Sequence, residues 1–281
     1  MSRFIISGFS DEIDQSIDVQ FSALNGMGIS YFEPRGINGT NIADLTDEQL
    51  EDLKGKMKEY GIKASSIGSP IGKIGIRDDF DEHLVKLRRV IHITKELGTK
   101  YIRMFSFYMR EDKPEDVRDE VMRRMKAMAK IAEEEGVILL HENEKGIYGD
   151  TAERCAEIIR EVNSPSLRAV FDFANFVQCG QRTYPDAFEI MKPYVEYIHI
   201  KDAEFETGDV VPPGEGDGQI ETIFKAFPEY QGFLSLEPHL GVFDGLADLE
   251  EDDKMLSLEK ASEKTFALAH DNLLKIITRV N

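Results

Sequence analysis

Val137-Ile138-Leu139-Leu140-His141-Glu142-Asn143-Glu144 is an apolar run, partly β-branched, that stops on four polar residues. Three later segments share this shape. They are Phe171-Asp172-Phe173 at the end of 167–171, His199-Ile200-Lys201-Asp202 at the end of 195–200, and Leu236-Glu237-Pro238 after 233–236. From Glu142 to Asp172, His199 and Glu237 the steps are 30, 27 and 38 residues, each about the length of one strand-helix unit. Side chains alternate across a strand. Leu140, Glu142 and Glu144 therefore share a face, as do Val170 and Asp172, then Tyr197, His199 and Lys201, then Ser235 and Glu237. Four successive parallel strands would deliver two Glu, one Asp and one His to a single rim. That donor set suits a hard or borderline divalent cation with coordination positions left for a substrate.

The pattern continues outward to both ends. Further strands are expected at residues 4–6, 29–32, 62–67 and 101–105. Helices are expected at 17–27, 46–60, 79–97, 114–135, 151–162, 184–191, 220–227 and 256–280. Thr46-Asp47-Glu48-Gln49 reads as a capping box. Gly28, Gly61, Gly98 and Gly136 fall where helices should stop, as C-terminal glycines do. Eight strand-helix units imply a parallel sheet, and at 281 residues one closed (β/α)8 TIM barrel accounts for the whole chain, residues 1–281, as a single domain. The G-x-G-x-x-G dinucleotide fingerprint after the first strand is absent.

Composition narrows the partners. Net charge is −19, from 34 basic and 53 acidic residues. Basic residues cluster no further than pairs such as Arg88-Arg89, so nucleic acid is an unsuitable partner. No apolar run approaches the ~20 residues that span a bilayer, and the first residues lack the shape of a signal peptide. With Cys155 and Cys179 read as free thiols, the expected location is cytoplasmic. The acidic stretch 248–253 is expected to be a solvated loop.

The segments Leu140-His141-Glu142-Asn143, Phe171-Asp172-Phe173-Ala174-Asn175-Phe176, Ile198-His199-Ile200-Lys201-Asp202 and Leu236-Glu237-Pro238 resemble the xylose isomerase-like TIM barrel superfamily, and within it the sugar isomerase/epimerase branch with the ketose 3-epimerases. The resemblance implies that Glu142, Asp172, His199 and Glu237 bind one divalent ion. Mn²⁺ is the first choice, with Mg²⁺, Co²⁺ or Zn²⁺ as alternatives. It also implies that Glu142 and Glu237 are catalytic, moving a proton on and off the carbon beside a carbonyl of a small sugar or sugar phosphate. Homo-oligomerisation is left open. Two departures stand out. Asn175 replaces a His usual in the epimerases, and 202–206 has no Arg. Lys201, Glu144, Asn175 and Arg35 are the substrate-binding candidates in their place. Arg103, Lys73 and the glycine-rich loop 211–218 are further candidates for holding an anion. The same metal and carboxylates also suit a dehydratase or lyase acting on a sugar acid, an inosose or dehydroshikimate. A sugar-binding barrel without turnover is a third reading. The superfamily's repair endonucleases need more histidines at the rim than this chain offers.

Overall fold

The computed structural model describes residues 3–243 and 259–280. In chain order the elements are β1 (Ile5–Gly8), α1 (Ile17–Gly26), β2 (Tyr31–Phe32), β3 (Gly36–Ile37), β4 (Thr40–Asn41), α2 (Asp47–Tyr60), β5 (Lys63–Ala64), β6 (Ile67–Gly68), α3 (Phe80–Glu96), β7 (Tyr101–Met104), α4 (Pro114–Glu135), β8 (Ile138–Glu142), α5 (Ala152–Val162), β9 (Leu167–Asp172), α6 (Phe173–Gln178), α7 (Phe188–Met191), β10 (Val195–Ile200), β11 (Asp202–Ala203), β12 (Val210–Val211), α8 (Ile220–Ala226), β13 (Phe233–Leu236) and α9 (Glu263–Val280).

Seven strands form one sheet in the order β1-β13-β10-β9-β8-β7-β6, and every pairing is parallel. The remaining gap is bridged by β2, which pairs in parallel with β5. Glu33 N–H donates to the Gly8 carbonyl at 2.9 Å, and Gly68 N–H donates to the Pro34 carbonyl at 2.9 Å. These bonds tie the β2 segment to β1 on one side and β6 on the other. The sheet thus curls into the eight-position barrel expected from the alternating sequence pattern.

Two faces of each strand separate two environments. Leu139, Phe171, Ile198, Ile200, Leu234 and Leu236 belong to the main core shared with the helices. Leu140, Val170 and Tyr197 form a separate cluster with Tyr101, Ile138 and Phe233. That second cluster plugs the barrel interior. The side chains two residues further along these strands are Glu142, Asp172, His199, Ser235 and Arg103, and all are buried. The register reinforces the layering, with His199 level with both Asp172 and Ser235.

The expected helix signals mostly hold. Thr46 and Gln49 close a reciprocal capping box on α2, and Gly61 and Gly136 end α2 and α4 at φ 69° and 70°. Three expectations need correction. The third strand, expected unbroken over 62–67, divides into β5 and β6. The break falls where the partner changes from β2 to β7, and there the Ser65 hydroxyl donates to the Phe32 carbonyl at 2.9 Å and pairs with Ser7 Oγ at 2.6 Å. After β9 the chain turns at once into α6, and the segment expected as helix 184–191 is a π-helical turn followed by the short α7. Asp172 ends the strand and caps that helix, accepting from Asn175 N–H at 2.8 Å. Of the helix expected at 256–280, the described part begins at Glu263. The acidic stretch 248–253 lies outside the described residues.

Candidate metal centre

Glu142 closes β8, Asp172 closes β9, His199 lies near the end of β10, and Glu237 follows β13. All four are buried, and one ligand atom from each lies within 4.8 Å of the others. His199 Nδ1 is 2.8 Å from Glu142 Oε1 and 3.2 Å from Glu237 Oε2. Asp172 Oδ2 is fully buried and accepts no hydrogen bond. The nearest cation to it is the Lys201 ammonium at 3.4 Å, which also stands 3.8 Å from Glu237 Oε2. Buried charges of this density persist only when paired or when they coordinate a metal. Three carboxylates and one imidazole converging on one point are a donor set for a divalent metal ion.

Electrostatics sort the group. Burial, reinforced by Glu142 and Glu237 and offset by Lys201, pushes Asp172 up to about 7. Against the same burial, His199 and Arg103 hold Glu142 below the usual carboxylate range. Lys201 and the neighbouring histidines hold Glu237 well below it, again in opposition to burial. Although burial disfavours charge, Glu142 and Glu33 hold His199 well above its ordinary value, and Asp172 and Glu237 do the same for Lys201. Without a metal, then, the cluster is neutralised by His199 and Lys201. A bound cation would displace the proton from the imidazole.

The substrate-binding candidates divide. Lys201 sits inside the cluster. Asn175 is beside it, donating from Nδ2 to the Asn143 carbonyl at 2.9 Å and lying 3.5 Å from Glu142 Oε1. Glu144 is one step out, with Oε2 3.5 Å from Lys73 Nζ. Arg35 stands behind Glu237. Its Nη1 donates to Glu237 Oε1 at 3.0 Å, its Nε and Nη2 grip Asp11 at 2.8 and 3.0 Å, and Nη2 reaches Glu12 Oε1 at 3.3 Å. Phe9 and Phe243 sandwich the guanidinium at 4.5 and 4.6 Å. Three carboxylates of this chain therefore take up the hydrogen bonds that a substrate anion would need.

The glycine-rich loop is also engaged internally. The Asp202 carboxylate accepts from the backbone N–H groups of Gly214 (2.8 Å), Gly216 (3.2 Å) and Gly218 (2.8 Å). The amides that a phosphate cradle would need hold an internal anion instead, and the loop serves as a tight turn into α8.

Sequence reasoning missed four residues at this site. Glu12 and His239 lie with Glu237 in a second group of possible ligand atoms, but the Arg35 guanidinium already supplies the positive charge there. Asp11 completes the Arg35 cradle. Glu33 packs against the other ring edge of His199, with Oε2 3.3 Å from Nε2. His239 was accessible by continuing the two-residue parity past Glu237. Glu33 was visible as the acid that ends the β2 run before Pro34.

A family model for the xylose isomerase-like TIM barrel matches residues 21–256. The chain belongs to this family. A curated relative, the 3-dehydroshikimate dehydratase of Bacillus anthracis, is 23% identical over 244 residues, covering 78% of this chain and 83% of the relative. Among solved structures, the IOLI protein with a bound zinc atom superposes with a TM-score of 0.76 at 20% identity, covering all of this chain and 99% of the other. A D-tagatose 3-epimerase-like protein gives 0.75 at 15% identity, over 100% and 98%. The proteins this chain is similar to thus include both an epimerase-like protein and a dehydratase. Among the described residues no helix is long and apolar enough to cross a membrane.

Proposed function

We propose that the protein is a divalent-metal-dependent isomerase or epimerase of a small sugar or sugar phosphate. Glu142, Asp172, His199 and Glu237 hold the ion, with Mn²⁺ the expected occupant. The observation that carries this reading is the placement of Glu142 and Glu237 on either side of His199 Nδ1, at 2.8 and 3.2 Å. They come from strands separated by β9 and β10 in the sheet. A bound ion would polarise the substrate carbonyl and its neighbouring hydroxyl. Glu142 and Glu237, held ionised, then serve as proton acceptor and, once protonated, proton donor on the adjacent carbon. Lys201, its Nζ 3.4 Å from Asp172 Oδ2 and 3.8 Å from Glu237 Oε2, is held as an ammonium ion and is placed to donate to a substrate oxygen. Arg35 fixes the carboxylate of Glu237 from behind. Lys201, Glu144 and Asn175 line the substrate side.

A second reading, dehydration of an acidic hydroxy-carbonyl compound, is favoured by one further observation. Arg103 is 2% exposed, with Nε 3.5 Å from Glu142 Oε2 as an ion pair but with Nε and Nη2 making no hydrogen bond. Its guanidinium lies 5.2 Å from the Phe9 ring centre and 4.7 Å from that of Phe105, and Lys73 Nζ lies 4.5 Å from the Phe105 ring. Two cations on one aromatic platform at the rim suit a substrate carboxylate. The curated dehydratase relative points the same way.

The deciding experiment loads wild-type protein and Glu237→Gln with Mn²⁺ after gentle chelation, then incubates both with ketoses, keto-sugars and sugar acids in D₂O. About one equivalent of metal in the wild type, weakened in the variant, with deuterium gained at carbon and no water lost, is the expected result. Loss of water with a conjugated product selects the dehydratase. A well-folded wild type that takes up no metal overturns both.

A further inference from the structure

The two nitrogens of His199 face different groups. Nδ1 is turned toward Glu142 and Glu237, whereas Nε2 lies on the Glu33 side of the ring, 3.3 Å from Oε2 and without a hydrogen bond of its own. The ring is held in this orientation by edge-on contacts with Phe9 (5.1 Å, 86°) and Tyr197 (5.8 Å, 84°). Glu33 is itself anchored, because Ser235 Oγ donates to its Oε2 at 2.7 Å. Below it Tyr197 OH pairs with Ser65 Oγ at 2.9 Å, and Ser65 Oγ with Ser7 Oγ at 2.6 Å. A polar layer drawn from β1, β2, the β5–β6 break, β10 and β13 thus runs under the candidate metal centre.

Glu33 is 1% exposed. Among the described residues no Lys or Arg forms an ion pair with it, and His199 is its one charged partner. A carboxylate buried without a cation costs several kcal/mol, so this position needs a reason. The divergent lone pairs of an imidazole supply it. An ion on Nδ1 requires that nitrogen to be deprotonated, which leaves the remaining proton on Nε2 and in need of an acceptor. A carboxylate on the Nε2 edge faces away from an ion on the Nδ1 edge, so Glu33 is placed to hold the ligand and not to join the ligand set.

We propose, resting on the metal reading above, that Glu33 is the positioning residue for His199: it accepts the Nε2 proton, fixes the tautomer with the lone pair on Nδ1, and brings a further negative charge to bear on the ion through the ring. Partners of this kind set ligand orientation and basicity, and losing one typically weakens metal binding about 10–100-fold.

The test measures Mn²⁺ affinity by competition with a fluorescent chelator for wild type, Glu33→Gln and Glu33→Ala. Co²⁺ d–d absorption and the melting temperature of the metal-free proteins are recorded alongside. Glu33→Gln keeps the shape and an acceptor oxygen but removes the charge. It is expected to bind Mn²⁺ about 10-fold more weakly, and Glu33→Ala about 100-fold, with an altered Co²⁺ spectrum in both. Wild-type affinity and spectrum in both variants overturn the proposal, whether or not their melting temperatures fall. If Glu33→Ala does not fold, Glu33→Gln decides. A wild type that takes up no Mn²⁺ brings down the metal reading itself, an outcome distinct from a wild type that binds as its variants do.

Discussion

His83 makes the loop beside the candidate site sensitive to acid. It lies on α3, 5% exposed, and its Nε2 accepts the Gly72 N–H at 2.8 Å. Gly72 has φ +87°, and a Cβ there would collide with the Phe105 backbone. This tight crossing carries the next residue, Lys73, onto the Phe105 ring. Burial, with Lys86 and Arg124 nearby, lowers the His83 pKa from 6.5 to about 4. The folded protein thus prefers neutral His83, and protonation also removes the acceptor that Gly72 needs. A depressed histidine pKa contributes stability that is complete above the unfolded value of 6.5 and is lost as pH falls toward 4. Linkage over this window gives a loss of about 2 kcal/mol at pH 5, approaching roughly 3 kcal/mol below pH 4. Urea unfolding of wild type and His83→Gln at pH 7.5, 6 and 5 isolates the contribution, since Gln offers an acceptor oxygen and does not titrate. The wild type should lose stability relative to the variant by about 2 kcal/mol across that range. A difference between the two that stays constant from pH 7.5 to pH 5 refutes a neutral His83 anchoring the Gly72 turn.

Other perturbations probe the surroundings of the site. Arg35→Met leaves Asp11, Glu12 and Glu237 buried without their shared cation. It should cost about 3–5 kcal/mol in urea unfolding, and a loss under 1 kcal/mol would show that the cradle is not a charge pair in solution. Asp202→Ala removes the acceptor shared by three glycine amides and should cost about 2 kcal/mol or more. Amide exchange at Gly214, Gly216 and Gly218 should accelerate with it, and unchanged exchange there would refute the cradle. In Glu237→Gln the metal site loses a charge, so Mn²⁺ content after dialysis should fall below the one equivalent expected of wild type. Equal content would remove Glu237 from the ligand set.

The barrel was legible in the chain because its signals are local. A buried parallel strand must be apolar along its length, and a helix stop needs a residue that tolerates positive φ. The runs ending at Glu142, Asp172, His199 and Glu237, and the glycines at 61 and 136, record those requirements directly. The two-residue parity also placed Glu142, Asp172 and His199 toward the barrel interior, because side-chain direction in a strand follows from position alone. Where local chemistry competed, the reading slipped. The third strand divides where its partner changes from β2 to β7, and Asp172 opens a helix immediately where a loop was expected.

What the sequence by itself determined is the order of the strands, the facing of their ends and the kinds of donor those ends carry. Which groups neutralise one another was decided by the tertiary structure. Arg35 lies 202 positions from Glu237, and Glu33 the same distance from Ser235, yet barrel closure sets each pair at hydrogen-bond distance. Likewise the fold turned the glycine amides of 214–218 onto Asp202, leaving Arg103 and Lys73 on the Phe105 ring at the rim. Charge pairing depends on distances of a few ångströms between segments far apart along the chain, and closure of the sheet is what fixes those distances.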